Sequence, residues 1–104
     1  MSEFQDVVVV KKANIYFEGG VTSRTIRFPG GDTKTLGIIQ PGEYSFDTGK
    51  KEIMELQAGE VEVLLPGESE WRRFEAGETF EVKADSTFRI RALSLTDYCC
   101  SFVD

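Results

Sequence analysis

The stretch Phe46-Asp47-Thr48-Gly49-Lys50-Lys51-Glu52-Ile53-Met54-Glu55-Leu56-Gln57-Ala58-Gly59, FDTGKKEIMELQAG, decides the fold. Gly49 and Gly59 punctuate it as turns, and Ile53–Leu56 lies between them as a short strand. The segment Lys50–Leu56 is rich in helix-forming residues, yet it is flanked on both sides by strand signals. Its spacing is that of a metal-binding strand pair. The residues that should hold the metal are missing: Phe46 and Thr48 precede the turn, and Glu52 alone follows it.

Outward from this stretch, strand signals dominate. Val7–Val10 is continuous and β-branched, and apolar or alternating runs follow at Thr22–Phe28, Thr35–Gln40 and Tyr44–Phe46. Beyond Leu56 come Val61–Leu65, Trp71–Phe74, Thr79–Val82, Phe88–Ala92 and Tyr98–Val103. Gly19-Gly20, Pro29-Gly30-Gly31-Asp32, Pro41-Gly42, Pro66-Gly67, Gly77 and Ala84-Asp85-Ser86 separate them. Many short strands with regular turns predict a sandwich or barrel and no helix. Alternation assigns faces: Val61, Val63, Phe80, Val82, Phe88 and Ile90 point inward, while Arg89 and Arg91 point outward. Closing the strands on themselves would remove exposed edges, so a small jelly-roll β-barrel is expected. The first ten or so residues are read as an added edge strand or a dimer-swapped arm.

Bulk properties narrow the function. With 104 residues the chain fits one domain, residues 1–104, with a single packed core. A formal net charge of −6 repels nucleic-acid phosphate, so no nucleic-acid partner is expected. No apolar run approaches the ~20 residues that span a bilayer, and Val7–Val10 is too short for a signal core. No membrane association and a cytoplasmic location follow. Cys99 and Cys100 are adjacent; strand neighbours face opposite ways and a disulfide between them would be strained, so both are read as reduced thiols.

The frame resembles the cupin superfamily. Gly42, then Phe46-Asp47-Thr48, then Glu52 after three residues and Gly59 after six more follow the first cupin motif, with a shortened spacer. Glu75-Ala76-Gly77-Glu78-Thr79-Phe80, with Ala84, has the frame of the second. The metal quartet would fall on Phe46, Thr48, Glu52 and Phe80. Phenylalanine offers no lone pair, threonine is a poor neutral ligand, and one carboxylate cannot hold zinc, iron or manganese. The sequence contains no histidine to replace them. A transition-metal dioxygenase or metallo-isomerase is therefore rejected, and no cofactor is expected.

Within that superfamily the chain resembles the small bacterial pyrimidine/purine nucleoside phosphorylases. The ordered set carries the likeness: Ala13–Ser23 (ANIYFEGGVTS), Gly42–Thr48, Glu52 with Met54, Gly59–Pro66 (GEVEVLLP), Phe74–Gly77 and Tyr98-Cys99-Cys100. The resemblance implies a cupin-type jelly roll and a cytoplasmic, homodimeric, metal-free pentosyltransferase of the glycosyltransferase group. Such an enzyme splits purine and pyrimidine nucleosides with inorganic phosphate, as co-substrate, into free base and ribose 1-phosphate.

The residues suggest how that chemistry is built. Phosphorolysis passes through a sugar with oxocarbenium character, so positioning and electrostatics carry it. Glu52, a carboxylate aimed into an apolar barrel, is the expected catalytic group, accepting from ribose hydroxyls or moving a proton. Phe46 and Phe80 offer flat faces for a base, and Tyr44 and Thr48 offer hydroxyls to the substrate. Ser23 and Arg24 form the best phosphate cluster, although neighbours on a strand face opposite ways. Arg72 and Arg73, near Glu68 and Glu70, read as surface. A non-catalytic sugar- or nucleoside-binding module and a metal-free carbohydrate isomerase remain open from the residues alone.

Overall fold

A computed structural model describes residues 2–104. Eleven strands follow one another: β1 (Val8–Val9), β2 (Asn14–Tyr16), β3 (Val21–Arg27), β4 (Thr33–Ile39), β5 (Gly42–Asp47), β6 (Lys51–Ala58), β7 (Glu60–Leu64), β8 (Arg72–Glu75), β9 (Thr79–Val82), β10 (Thr87–Ala92) and β11 (Thr96–Val103). Each predicted strand is present, with ends moved by a few residues. Val8 and Val9 pair with Arg27 and Ile26, so the N-terminal valines form the edge strand expected of them.

The strands build two facing sheets. The seven-stranded sheet runs β1-β3-β4-β11-β6-β9, with β2 also on β3, and the four-stranded sheet runs β5-β10-β7-β8. Every pairing is antiparallel. The all-β jelly-roll class is as expected, but the sheets do not close on each other. Their outer strands manage the open edges by being short and charged. β8 and β9 have four residues each and carry Arg72, Arg73 and Glu81.

Helix propensity in Lys50–Leu56 is overridden by position. β6 sits between β11 and β9, where both of its backbone edges are paired. On such a strand alternation decides the outcome: Met54 and Leu56 go inward and are buried, leaving Glu55 on the other face. The core is one cluster between the sheets. Val21, Ile39, Met54, Leu56 and Tyr98 come from one side and Val61, Val63, Phe88 and Ile90 from the other. Fully burying such side chains contributes about 1.5–3 kcal/mol each.

Outward alternation places Arg89 and Arg91 as predicted. Both pair with Glu43, Arg91 also reaches Glu62 at 3.2 Å, and Arg91 lies 4.0 Å over the Trp71 ring. Arg72 bonds Glu68, and Arg73 bonds Glu60. These four arginines are thus engaged by carboxylates, Arg73, Arg89 and Arg91 on the outer face of the smaller sheet and Arg72 at its edge.

One element escapes the sequence reading. Asn14–Tyr16 forms β2, which is followed by a single 3-10 turn, Phe17–Gly19. Ile15-Tyr16 is a β-branched and aromatic pair two residues before Gly19-Gly20, which is itself a strand signal. None of the described residues belongs to a helix long and apolar enough to cross a membrane.

Candidate active site

A cavity of about 160 Å³ lies between the two sheets. Its lining carries the polar side chains of Ser23, Thr35, Asp47, Glu52, Tyr98 and Cys100 and the aromatic rings of Tyr16, Phe46, Phe88 and Phe102. A dry cavity of about 150 Å³ admits a benzene ring. The space is therefore large enough for one ring of a ligand.

Glu52 enters the cavity because the period of β6 puts it on the same face as Met54 and Leu56. Phe102 and Val82 are its cross-strand neighbours, so its surroundings are apolar. The Cys100 thiol donates to Glu52 Oε1 at 3.5 Å. Burial raises the Glu52 pKa above the ordinary carboxylate value, and the Cys100 hydrogen bond offsets part of that rise. Burial and the neighbouring carboxylate push the Cys100 thiol far up, so it stays protonated and remains a donor. Cys99 is buried on the opposite face, as adjacency requires, and neither cysteine is oxidised.

Tyr98 owes its place to Gly37, its direct partner across β4 and β11. A Cβ on Gly37 would stand 2.2 Å from the Thr22 carbonyl oxygen and 2.7 Å from the phenol. The bare backbone lets the ring lie across β4. Burial pushes the phenol pKa strongly up, and the nearby Ser23 hydroxyl counters it in part. Ser23 is buried, and its Oγ accepts from Asn14 Nδ2 at 3.2 Å. Its hydroxyl also faces the Tyr98 phenol on the cavity lining.

Three of the expected site residues line this cavity: Glu52, Phe46 and Ser23. Four do not. Thr48 is buried at the start of a turn, where its Oγ1 donates to the Lys83 carbonyl at 2.7 Å and accepts from the Ser86 N–H at 3.0 Å. It ties the β5–β6 turn to the β9–β10 turn. Phe80 stacks on Phe74 at 4.7 Å inside the core. Tyr44 donates to the Gln40 carbonyl at 2.9 Å and packs against Phe17. Arg24 takes the outer face of β3, opposite Ser23, and its Nη1 donates to the Lys11 carbonyl at 3.0 Å. Alternation along β3 makes it impossible for both Ser23 and Arg24 to face inward.

Tyr98, Cys100, Thr35 and Asp47 were not among the expected site residues. Alternation on β11 and β4 was the available signal, since Tyr98, Cys100 and Thr35 share the inward face.

The pyrimidine/purine nucleoside phosphorylase family model matches residues 11–102, most of the described chain. This chain belongs to that family. Relatives of that name include one from Geobacter sulfurreducens, 57% identical over 103 residues and covering 99% of each chain. Another, from Geobacter metallireducens, is 59% identical with the same coverage, and one from Hydrogenovibrio crunogenus is 54% identical over the full length of both chains. Among solved structures, a protein of unknown function from Acinetobacter sp. ADP1 superposes with a TM-score of 0.94 at 38% identity, covering 97% of this chain and 98% of its own. An RmlC-like cupin from Shewanella frigidimarina superposes with a TM-score of 0.70 at 16% identity, covering 97% of this chain and 86% of that one, which shows the shared cupin fold.

The metal that cupin folds imply does not fit this family member's residues. Of the four motif positions, only Phe46 and Glu52 reach the cavity, and one of them has no donor atom. Asp47 is already engaged, accepting from the Thr87 hydroxyl at 2.7 Å. Among the described residues no three His, Cys, Asp or Glu side chains converge as a metal site.

Proposed function

We infer that this chain is a nucleoside phosphorylase whose reaction takes place at the Glu52 cavity. Family membership supports the activity on purine and pyrimidine nucleosides. It displaces the readings of a non-catalytic module and of a carbohydrate isomerase. An oxygen of inorganic phosphate attacks C1′ of the ribose. The C1′–N bond breaks, its electron pair leaves with the base, and the base takes a proton. Ribose 1-phosphate and free base result.

The observation that carries the assignment of the site is the set of groups gathered around Glu52 in the cavity. Ser23, Thr35, Glu52, Tyr98 and Cys100 line it from the larger sheet, and Phe46 and Phe88 face them from the smaller one, around a space large enough for one ring. A ribose fits beside Glu52, with the base against Phe46. Glu52 acts as a carboxylate: it accepts from ribose hydroxyls and stabilises the positive charge that grows on the sugar ring. Ser23 donates to phosphate. Of the described residues, no lysine or arginine lines the cavity, so neutral donors hold the anion. Catalysis is metal-independent because the donor set is too poor to retain an ion.

Exposed Ile15, Leu36 and Ile38 lie on the outer face of the seven-stranded sheet, and Ile15 and Ile38 are in register with Thr22 between them. This apolar face supports a homodimer, and sedimentation finding only monomer would reject it. The two free cysteines support a reducing, cytoplasmic setting.

The test is direct. Chelator-treated protein is incubated with uridine and with guanosine, with and without phosphate. Free base is expected from both nucleosides only when phosphate is present. Release without phosphate would make the protein a hydrolase, and loss of activity on chelation would return the metal.

A further inference from the structure

The turn that follows β2 has an unusual backbone. Phe17, Glu18 and Gly19 have φ of 51°, 55° and 98°, so three successive residues sit in the left-handed region. Glycine adopts this freely, but a phenylalanine there is strained. Such strain persists where the surroundings over-determine it, and it concentrates at ligand clamps.

The surroundings here are specific. Gly20 N–H donates to the Phe17 carbonyl at 3.0 Å and closes the turn. Gln40, just after β4, holds it, its backbone N–H donating to the Gly20 carbonyl at 2.8 Å and its side chain to the Gly19 carbonyl at 3.2 Å. Tyr44 in turn donates to the Gln40 carbonyl, and its ring stands 5.0 Å from that of Phe17.

The conformation holds two large rings partly in solvent. Tyr16 is 45% and Phe17 50% exposed, although both meet Phe46 edge-on, at 5.8 and 5.4 Å. Tyr16 and Phe46 also line the cavity. A turn serving packing alone would bury these rings. This one keeps them half-exposed against Phe46, a ring of the cavity lining.

We propose that Tyr16 and Phe17, with Phe46, form the platform on which the nucleobase stacks while its ribose occupies the cavity. This rests on the assignment of the cavity as the phosphorolysis site. Ring faces attract any heteroaromatic base and read none of its edges, so the platform accepts purines and pyrimidines alike. Tyr44 is a positioning residue that buttresses the turn through Gln40 and Phe17.

Steady-state kinetics of Tyr16→Ala, Phe17→Ala, Tyr16→Phe and Tyr44→Phe against uridine, guanosine and phosphate test this. Each alanine variant should raise KM for both nucleosides about tenfold, while KM for phosphate moves by less than about twofold. Tyr16→Phe, which keeps the ring, should recover most of that loss. Tyr44→Phe should show the same split with a smaller rise. Unchanged nucleoside KM in Tyr16→Ala, or a parallel rise in phosphate KM, would overturn the platform. Should Phe17→Ala not fold, Tyr16→Ala decides, because its half-exposed ring makes little contribution to the core. A wild-type enzyme that releases no base with phosphate would instead refute the assigned function.

Discussion

The Cys100 thiol stands 3.5 Å from the Glu52 carboxylate and donates to it inside an otherwise largely apolar cavity. The two residues come from adjacent strands, β11 and β6, on the shared inward face of the larger sheet. A half-buried carboxyl with one weak donor is held, but not neutralised, and this gives it a pH-dependent life in both catalysis and stability.

For catalysis, the working form of Glu52 is the carboxylate, and burial lifts its pKa above the ordinary value of 4.5. The acid limb of kcat/KM, which reports the free enzyme, should therefore lie above the usual carboxylate range. Glu52→Ala should lower kcat/KM by about tenfold or more without unfolding the protein. Cys100→Ala removes the one hydrogen bond that lowers the Glu52 pKa, so its acid limb should move to still higher pH. The titration of phosphate is common to both enzymes and cancels in the comparison. An unmoved limb in Cys100→Ala would separate the thiol from Glu52.

For stability, the sign follows from the same shift. A carboxyl whose folded pKa is raised binds its proton more tightly when folded than when unfolded. Its contribution is fully present below the unfolded value, and stability falls as pH rises from there through the folded pKa. Glu52→Gln keeps the shape and an acceptor for Cys100 but cannot ionise. Urea unfolding should find the variant gaining on wild type as pH rises above 4.5, with the gain levelling off once Glu52 is ionised. A difference independent of pH across that window would show that Glu52 carries no burial penalty.

The Tyr98 ring depends on Gly37 being bare. An added methyl group would collide with the Thr22 backbone oxygen, which cannot rotate away, as well as with the phenol. Gly37→Ala should cost about 2 kcal/mol or more in denaturant unfolding, as overpacked cores do. It should also lower turnover, because the displaced ring is part of the cavity wall. Full stability would mean that β3 and β4 separate more readily than their pairing implies.

Strand alternation made most of the fold legible. It set the inward faces of β7, β9 and β10 correctly, and with them the core and the outward arginines. It also separated Ser23 from Arg24 and Cys99 from Cys100. The failures arise where local sequence gives no depth. Thr48 and Phe80 occupy motif positions, but a turn-to-turn hydrogen bond and a stack on Phe74 withdraw them from the cavity. Such partners lie in distant strands and leave no trace in the spacing. Sheet closure failed for a related reason: pairing of the last edges depends on strand length and twist, which periodicity does not encode. Gly19-Gly20 marked the turn after β2, but its left-handed start was not legible, because Phe17 and Glu18 adopt a conformation that their residue types disfavour.

Arg24 gives the final prediction. Residue type alone makes it the natural phosphate ligand, since a guanidinium grips phosphate in two places. Its position on β3 turns it away, and its side chain is occupied by the Lys11 carbonyl on the outer face. Its charge is exposed, and salt screens exposed charges over about 10 Å. Arg24→Ala should therefore leave KM for phosphate within about twofold of wild type, while Ser23→Ala raises it by more, since Ser23 holds a donor inside the cavity. Kinetics in phosphate at fixed, saturating nucleoside would measure both. A large rise in Arg24→Ala with none in Ser23→Ala would move the anion out of the cavity to the outer face of the sheet.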